Sequence, residues 1–326
     1  MEYLITTHPG FEDIGIEDLI RFGAAKNKIF LPKDVFGKVF VKTSSKVIKK
    51  LARVKSITGI YEVLGKRRFD GANSIYELLR MHRSKFKKQS IWILFKPVRK
   101  VLPDFDKLRR NLSRRLRLKL SRKPTYLLRV DTFRGSCVLS RFLFKPTWKD
   151  YRKVKLPFSM KPDLAHCIVR AAKFKKTETR IWDPFCGGGS IPIEMALLYK
   201  GKEIFGSDID KEKIDASKIN AKSAGVENKI NFFVCDARNL VKASLDEVDC
   251  LIGELPYQLK AKTLEKLYTG FFSSAKKVLK QKGRIIVIVN RKRTVGKIAD
   301  KLNFELLEKR RMIKGGYYTD FLQLVC

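Results

Sequence analysis

The second half of the chain alternates short apolar runs with amphipathic segments from Asp163 to the end. Five of the runs read as buried strands, and the stretches between them place apolar residues at helical spacing. The runs are Arg180–Asp183, Glu203–Asp208, Ile230–Cys235, Cys250–Ile252 and Arg284–Val289. This alternation predicts a parallel sheet covered by helices on both faces. Two last runs, Phe304–Ile313 and Phe321–Val325 around Gly315-Gly316, predict an antiparallel pair that closes the sheet.

The first half predicts smaller, mixed elements. Residues 1–65 contain strand-like runs at Tyr3–Thr7, Lys28–Leu31 and Lys38–Thr43, and helix-like runs at Glu12–Phe22 and Ser45–Leu51. After Ser74 the pattern predicts helices at Ile75–Ser84 and Asp104–Leu120, a strand at Ser90–Lys96, and a hairpin of Tyr126–Phe133 and Ser136–Phe142 around Arg134-Gly135. Residues 146–157 carry two prolines and little periodicity, so they predict a linker to a domain that begins at residue 158.

The charge of the chain indicates a polyanionic partner. There are 71 Lys and Arg residues against 33 Asp and Glu, a formal net charge of +38. Solubility or thermal adaptation is the alternative, but stabilising ion-pair networks need both signs in similar number. An excess of this size repels itself unless a polyanion shares the surface, which favours nucleic acid. Residues 1–150 hold a net +23 and residues 151–326 a net +15, so the first half is expected to be the main contact.

One predicted helix concentrates this charge. Residues 107–123 contain nine basic residues and no acidic one. The leucines between them recur at every fourth position, at Leu108, Leu112, Leu116 and Leu120. Such a stripe predicts a helix that packs on a core and turns Arg110, Arg114 and Arg117 outward. Solvated faces usually mix signs to avoid i,i+4 repulsion, so we expect these arginines to contact RNA phosphates, with a merely solvated face as the alternative.

Cysteine and histidine usage predicts neither a disulfide framework nor a metal site. The six cysteines are scattered without a CxxC pair, and there are only three histidines. This usage fits a reducing cytosol. The first ten residues lack the basic-then-apolar design of an export signal, and no run of about 18 apolar residues occurs. The expectation is a cytoplasmic protein, monomeric and without a metal or a membrane segment.

A glycine-rich turn follows the first strand of the second half. Residues 183–190, from Asp183 to Ser190, read DPFCGGGS and lead into a helix. Ligands of open parallel sheets bind at the carboxyl ends of the strands, and glycines there let the backbone pass close to a ligand. The turn is not a GxGxxG motif, so an adenosine-containing ligand other than a nicotinamide dinucleotide is favoured.

Acidic residues also end the next two strands. Asp208 ends the second, where one carboxylate can accept both hydroxyls of a ribose. Asp236 follows the third beside Ala237, where a carboxylate suits an adenine amino group and a small residue leaves room for the ring. Each acid alone is more often a helix N-cap, but acids at three successive strand ends, including Asp183, predict an adenosine ligand.

These motifs resemble those of the class I methyltransferases, and specifically of the RNA methylases that carry a THUMP domain. The turn 183–190 is similar to that family's DP(F/M)CG(S/T)GT loop, residues 206–210 (GSDID) to its GxDID, and residues 235–237 to its adenine-side acid. Residues 158–165 (FSMKPDLA) resemble its SLKPxLA segment. At the front, residues 5–13 (ITTHPGFED) resemble the opening of the ferredoxin-like domain in the tRNA guanine-N2-methyltransferases.

The resemblance implies an α/β chain with a C-terminal class I (Rossmann-like) methyltransferase domain at residues 158–326. A ferredoxin-like domain at 1–65 and a THUMP-like RNA-binding domain at 66–145 would precede it, both α+β. It implies S-adenosylmethionine as cofactor and methylation of the exocyclic N2 amino group of a guanosine in tRNA. The cofactor residues it implies are Asp183, Phe185, Gly187, Gly189, Asp208, Ile209, Asp236 and Ala237.

The catalytic tetrapeptide departs from the family's (D/N)PP(Y/F) pattern, because the fourth strand leads to Glu254, Leu255, Pro256 and Tyr257. In the family's motif the acidic or amide side chain and the next carbonyl accept the two N–H bonds of the amine, and the aromatic ring stacks on the extruded base. Glu254 keeps an acceptor but reaches one methylene further, and Leu255 keeps its carbonyl but lacks the rigidity of proline. Pro256 is expected to stiffen the loop and Tyr257 to stack.

Two other functions stay open. One is a degenerate site in a protein that only binds RNA, although the three cofactor acids argue against it. The other is an adenine-N6-methyltransferase, which uses a nearly identical tetrapeptide. Cys186 in the glycine turn is interpreted as a packing residue, because attack by sulfur is characteristic of methylation at a pyrimidine carbon.

Overall fold

The computed structural model of the chain describes residues 1–32, 35–97, 104–133, 135–245 and 247–326. The predicted turn residue Arg134 lies outside these ranges. The chain divides into two compact units, Met1–Trp148 and Lys149–Cys326. This division falls inside the predicted linker, and residues 145–161, all of them described, contain neither a helix nor a strand. Residues after 148 nevertheless pack on the second unit, since Tyr151 is buried and its hydroxyl donates to the carbonyl oxygen of Ser190 at 3.4 Å.

The first unit is a mixed sheet with helices. Its strands are β1 (Glu2–Thr7), β2 (Ile29–Phe30), β3 (Lys38–Lys42), β4 (Ile57–Arg68), β5 (Ser90–Pro97), β6 (Lys119–Leu120), β7 (Tyr126–Phe133) and β8 (Ser136–Phe144). Its helices are α1 (Glu12–Arg21), α2 (Ser45–Lys50), α3 (Ala72–Met81) and α4 (Phe105–Leu116). Within the described residues these strands form one sheet in the order β2-β3-β1-β4-β8-β7-β5-β6. The β5 pairs with β6 and β7 are parallel, and the other pairs are antiparallel.

The helices of this unit pack on the sheet through two apolar clusters. One gathers Ile5 of β1, Leu19 of α1 and Ile48 of α2, and the other gathers Leu78 of α3 and Leu112 of α4 with residues of β5, β7 and β8. The long strand β4 supplies residues to both clusters and runs through the boundary predicted at residue 65. The assignment of residues 1–65 and 66–145 to ferredoxin-like and THUMP-like domains stays a prediction.

Helix α4 is shorter than the sequence pattern predicted. The Asp104 side chain caps it by accepting a hydrogen bond from the Lys107 N–H at 2.8 Å. The helix ends at Leu116 because Arg117 adopts a left-handed φ of 49°, and the Leu118 N–H then returns to the Ser113 carbonyl at 2.9 Å. The predicted extension to Leu120 was therefore wrong, although that residue still packs on the same cluster from β6.

The charged face of α4 is as expected, with one exception. Arg110 and Arg114 are exposed on the helix, and Arg117 is exposed just after it. Arg109 is buried instead, with its guanidinium 4.2 Å from the centre of the Trp92 ring and its Nε donating to the Ile93 carbonyl at 2.9 Å. One of the nine basic residues therefore stabilises the fold and is not available at the surface.

The second unit is the predicted α/β domain. Its strands are β9 (Arg180–Asp183), β10 (Glu203–Asp208), β11 (Ile230–Val234), β12 (Val248–Glu254), β13 (Leu279–Val289), β14 (Glu305–Lys314) and β15 (Tyr317–Val325). Its helices are α5 (Pro162–Ala171), α6 (Ser190–Leu198), α7 (Lys211–Ala224), α8 (Ala261–Val278) and α9 (Lys292–Lys301). The described strands form one sheet in the order β11-β10-β9-β12-β13-β15-β14. Strands β9 to β13 are parallel, and the β14–β15 hairpin closes one end antiparallel, as predicted.

The order of these strands creates a place for a ligand. From β9 the chain first moves to β10 and β11 on one side, and later to β12 and β13 on the other. The connections leave in opposite directions from neighbouring strands, which opens a crevice at their carboxyl ends. A large core that includes Trp182, Leu255, Tyr268, Phe271 and Phe272 holds α8 and α9 on the sheet behind this crevice. Each such side chain, fully buried, contributes about 1.5–3 kcal/mol of hydrophobic stabilisation.

Candidate active site

The carboxyl ends of β9 to β12 border a cleft of about 1190 Å³. Asp183, Asp208 and Glu254 are the last residues of their strands, and Asp236 follows β11 by two residues. Eleven of the twelve residues predicted for the cofactor and the reaction line this cleft, and Gly189 is the exception. The structure thus brings the predicted site together from four separate strand ends.

Gly189 serves the packing of the turn. It has a φ of +82° and caps α6. A Cβ added there would lie 3.0 Å from the Cβ of Ser217 and 3.2 Å from the ring of Phe232. Gly187 differs, because it has a φ of +51° and an added Cβ would meet no atom within 4 Å. Gly187 lines the cleft together with Gly188, and its positive φ favours glycine.

Asp183 is a carboxylate buried at the base of the cleft, only 1% exposed. It accepts a hydrogen bond from the Phe185 N–H at 3.0 Å. Burial raises its pKa well above the usual range, and the negative charges of Asp208 and Glu254 add to the rise. A cationic ligand group in the cleft would offset that cost. Gly253 of the neighbouring strand allows the close approach, because a Cβ there would lie 2.7 Å from the Asp183 Oδ1.

Asp208 is held by the backbone on both sides. Its Oδ2 accepts from the Gly187 N–H at 3.2 Å, and its Oδ1 accepts from the Asp210 N–H at 3.1 Å. Lys213 of α7 approaches the same Oδ1 to 3.4 Å. The carboxylate is thereby oriented while it lines the cleft, and its remaining lone pairs can accept hydroxyl groups. Ile209 beside it is 61% exposed and offers an apolar surface.

Asp236 is the most open of the four predicted acids, with its side chain 31% exposed. Its carboxylate accepts the Arg238 backbone N–H at 2.9 Å and the Arg238 guanidinium at 2.5–3.0 Å. The Arg238 contact holds the pKa of Asp236 below its usual range. Ala237 next to it is buried. This end of the cleft can accept an amino group beside a small side chain.

The tetrapeptide after β12 is firmly held. Glu254 is largely buried, and the Lys314 Nζ lies 2.5 Å from both its carboxylate oxygens. Leu255 is fully buried in the core, and the Pro256 carbonyl accepts the Tyr268 hydroxyl at 2.5 Å. Tyr257 is half-buried and lines the cleft. The arrangement places a carboxylate acceptor and an aromatic ring on one wall.

Phe185 and Cys186 support the glycine turn. The Phe185 ring packs edge-on against Phe271 at a centroid distance of 5.1 Å. Cys186 is buried, and burial together with Asp183 and Asp208 raises the pKa of its thiol well above the usual range. A thiol held protonated is a poor nucleophile, which agrees with its interpretation as a packing residue.

Sequence reasoning missed three basic residues that contact the predicted acids. Lys314, Lys213 and Arg238 contact Glu254, Asp208 and Asp236 respectively. Arg238 lies two residues after its partner and Lys213 five, so local spacing offered a signal for both. Lys314 lies sixty residues from Glu254, and only the sheet topology shows the two side chains to be neighbours.

The remaining predictions concern the RNA-binding arginines, a metal site and a membrane segment. Arg110, Arg114 and Arg117 belong to the first unit, whereas all the residues that line the cleft belong to the second. Over the ranges that the structure describes, no group of three His, Cys, Asp or Glu side chains is placed to hold a metal ion. No helix in those same ranges is long and apolar enough to span a membrane.

Comparisons with known proteins agree with this geometry. A curated tRNA (guanine(6)-N2)-methyltransferase of Methanocaldococcus jannaschii is 24% identical over 98% of each chain. A tRNA (guanine(10)-N2)-dimethyltransferase of Methanothermobacter thermautotrophicus is 35% identical over 50% of each chain. The crystal structure of TrmN from Thermus thermophilus has the same fold, with a TM-score of 0.79 at 20% identity over 100% of this chain and 99% of that one.

A family model settles the relationship of the second unit. The model for UPF0020, the RMKL-like methyltransferase domain, matches residues 149–320, more than half of the chain. The match begins with the first residue of the second compact unit. This match confirms the predicted resemblance to methyltransferases, and it includes the four predicted acids. The chain therefore belongs to the UPF0020 family of RMKL-like methyltransferase domains.

Proposed function

We propose that the protein is an S-adenosylmethionine-dependent methyltransferase that acts on the exocyclic N2 amino group of a guanosine in tRNA. The observation that carries this proposal is the position of Glu254 and Tyr257 in the same cleft as Asp183, Asp208 and Asp236. A carboxylate acceptor and a stacking ring suit a base amine, and the three acids suit an adenosine ligand.

The cleft fits S-adenosylmethionine in charge and in shape. Six acidic residues line it, among them the four predicted acids, and the cofactor brings a sulfonium and an ammonium group that such carboxylates can face. Asp208 would accept the ribose hydroxyls, and Asp236 would accept the adenine amino group beside Ala237. Asp183 and the exposed backbone of Gly187 would face the cationic portion. When bound, the cofactor supplies an electrophilic methyl carbon whose bonding pair leaves with sulfur as the new nitrogen–carbon bond forms.

The protein's own residues would prepare the amine. A guanine amino group is a weak nucleophile because its lone pair is delocalised into the ring. Glu254 and the Leu255 carbonyl would accept its two N–H bonds and direct the lone pair, while Tyr257 stacks on the extruded base. After transfer, the extra proton on nitrogen passes to water or to Glu254. Catalysis is then chiefly proximity and alignment.

The RNA would be held largely by positive charge. Arg110, Arg114 and Arg117 are exposed together in the first unit, which carries most of the charge excess. Exposed lysines at the start of α8, Lys260 and Lys262, line the cleft beside the catalytic loop. Arginine and lysine contacts to phosphate position a nucleic acid without reading its sequence. We further propose that the enzyme is monomeric and cytoplasmic. The cytoplasmic location is supported by six cysteines that form no disulfide, five of which are buried.

The relatives favour a position in the tRNA. The relative aligned over 98% of both chains is named for guanine 6, whereas the one named for guanine 10 aligns over half of each chain. We therefore propose guanosine at tRNA position 6 as the first target to test.

The test is transfer of radiolabelled methyl from S-adenosylmethionine to unmodified tRNA transcripts, followed by nucleoside mass spectrometry. N2-methylguanosine that disappears when only position 6 is changed to adenosine would support the full proposal. If N2-methylguanosine disappears when position 10 is changed instead, the target is the guanosine at position 10. N6-methyladenosine would identify an adenine enzyme, and tight binding without any labelled nucleoside would indicate a degenerate site.

A further inference from the structure

The structure pairs Glu254 with a lysine from the other end of the sheet. Lys314 is the last residue of β14, and its Nζ lies 2.5 Å from both carboxylate oxygens of Glu254. The two side chains are only 16% and 18% exposed. Surface ion pairs are solvated and contribute little, whereas a pair this close and this buried fixes both partners.

The sheet topology explains how the two residues meet. Strand β14 is antiparallel to β15, β15 is antiparallel to β13, and β13 is parallel to β12. Strands β14 and β12 therefore both end at the edge that carries the cleft. Glycines at 315 and 316, with φ of 58° and 86°, turn the chain back immediately after Lys314. The tip of the β14–β15 hairpin thus places Lys314 at the cleft.

The same topology gives a reason for glutamate at position 254. Strands β12 and β14 are three strand spacings apart, which is roughly 14 Å. In the register of the sheet, Arg310 is the β14 residue level with Glu254, and Lys314 lies four residues further along the hairpin, so a long side chain on each partner favours their contact. Aspartate or asparagine, which the methyltransferase motif has at this place, would be one methylene shorter. The departure from the motif and the lysine at 314 are therefore complementary.

We propose that Lys314 is a positioning residue, which keeps the Glu254 carboxylate ionised and directs it into the cleft to accept an N–H bond of the target amine. This inference deepens the proposed function and rests on it. A carboxylate has about four lone-pair positions, and Lys314 occupies one on each oxygen, so acceptor positions remain for the substrate.

The electrostatics of the site show why the lysine is needed. Burial raises the pKa of Glu254, and the ammonium of Lys314 opposes that rise. Asp183 on β9 lines the same cleft, and its own pKa is raised by burial and in part by Glu254. On the catalytic loop, the Tyr257 ring lies 6.0 Å from the Lys314 Nζ. Without Lys314, burial favours a protonated Glu254, which would present an O–H donor where an acceptor is required.

The test replaces Lys314 by Met and by Arg, with Lys309→Met as the control. Lys309 is an exposed residue of the same strand, so its replacement removes an equal charge away from the cleft. The Glu254 carboxyl is titrated by carbon-13 NMR in the cofactor-free protein, assigned with Glu254→Gln. Lys314→Met should raise the Glu254 pKa above that of the wild type, and Lys314→Arg and Lys309→Met should not. Thermal melting checks that each variant folds.

Kinetics supply the second readout. Lys314→Met should lower kcat near neutral pH by about tenfold or more, with KM for S-adenosylmethionine little changed. The acid limb of its kcat profile should move to higher pH, so that activity recovers as pH rises, and Lys314→Arg should restore the wild-type limb. An unchanged Glu254 pKa or an unmoved acid limb in a folded Lys314→Met protein would overturn the inference. An inactive wild type with a normal Glu254–Lys314 titration would overturn the proposed function instead, so the two failures are distinguishable.

Discussion

The backbone N–H of Leu255 donates a hydrogen bond to the carbonyl oxygen of Ile288 at 3.0 Å. This bond continues the pairing of β12 with β13 one residue past the last strand residue, into the loop of residues 255–257 that we propose to be catalytic. The Leu255 side chain is fully buried, and the next carbonyl, that of Pro256, accepts the Tyr268 hydroxyl. The loop is thus held by the Leu255 backbone hydrogen bond, by the buried Leu255 side chain and by the hydrogen bond to the Pro256 carbonyl. It does not need a second proline to be rigid.

Restoring that proline should therefore harm the enzyme. Leu255→Pro removes the N–H that bonds to Ile288 and also the apolar side chain from the core, so we expect a clear loss of kcat in the methyl-transfer assay. Leu255→Ala keeps the N–H but leaves a cavity, and should lower the free energy of unfolding by about 2–5 kcal/mol in denaturant titrations. If Leu255→Pro is as stable and active as the wild type, the backbone bond has no part in holding the loop.

The second unit was the more predictable half of the chain. Its strands are buried on both faces and read as continuous apolar runs, so the predicted β9 and β10 have the observed bounds, Arg180–Asp183 and Glu203–Asp208. Because parallel strands end at one edge, acids at those ends could be expected to share a site. The ion pair between Glu254 and Lys314 could not be predicted from the sequence. It depends on the order of the strands in the sheet and on the lengths of the two side chains.

The first unit was harder to predict because its signals are local and weak. Strand β4, Ile57–Arg68, was not predicted, and its sequence ends in Gly65 and three basic residues with no clear alternation. The end of α4 was also misplaced, because the leucine spacing continues through Arg117 while the backbone turns there. Leu120 keeps the spacing but reaches the core from a strand, so periodicity alone could not distinguish the two.

Gly253 offers a test of the packing at the base of the cleft. A Cβ at this position would lie 2.7 Å from the Asp183 Oδ1, so Gly253→Ala should displace that carboxylate. We expect weaker binding of S-adenosylmethionine by isothermal titration calorimetry. Gly296→Ala is the control, because a Cβ there meets nothing within 4 Å and alanine stabilises a helix by up to about 1 kcal/mol relative to glycine. Equal affinity in both variants would mean that Asp183 does not contact the cofactor.

Asp208 tests the proposed place of the ribose. Asp208→Ala removes the carboxylate that accepts the Gly187 N–H at 3.2 Å and, by our proposal, the ribose hydroxyls. Hydrogen bonds to a charged group contribute about 1.5–3 kcal/mol each, so the Kd for S-adenosylmethionine should rise by at least tenfold in calorimetry. Asp215→Ala on the exposed face of α7 removes the same group outside the cleft and should leave the Kd unchanged. An unchanged Kd in Asp208→Ala would show the ribose placement to be wrong.

The arginines of α4 test the expected RNA contact. Charge reversal of Arg110, Arg114 and Arg117 to Glu should weaken tRNA binding and make it less dependent on salt, because fewer counterions are released from the RNA. If each arginine contacts one phosphate, the slope of log K against log salt should decrease by about 2–3 in filter-binding titrations.

A matched control separates this contact from the net charge. The α2 lysines Lys46, Lys49 and Lys50 are also exposed in the first unit, and their reversal changes the charge by the same amount. The α4 variant should lose more affinity and more slope than the α2 variant, while both bind S-adenosylmethionine as the wild type does. Equal losses in the two variants would mean that the unit attracts RNA by its overall charge, and α4 would then be a solvated face. A larger loss for α4 would place phosphates along the helix, since a screened, diffuse attraction does not depend on which of two exposed surfaces carries the charge.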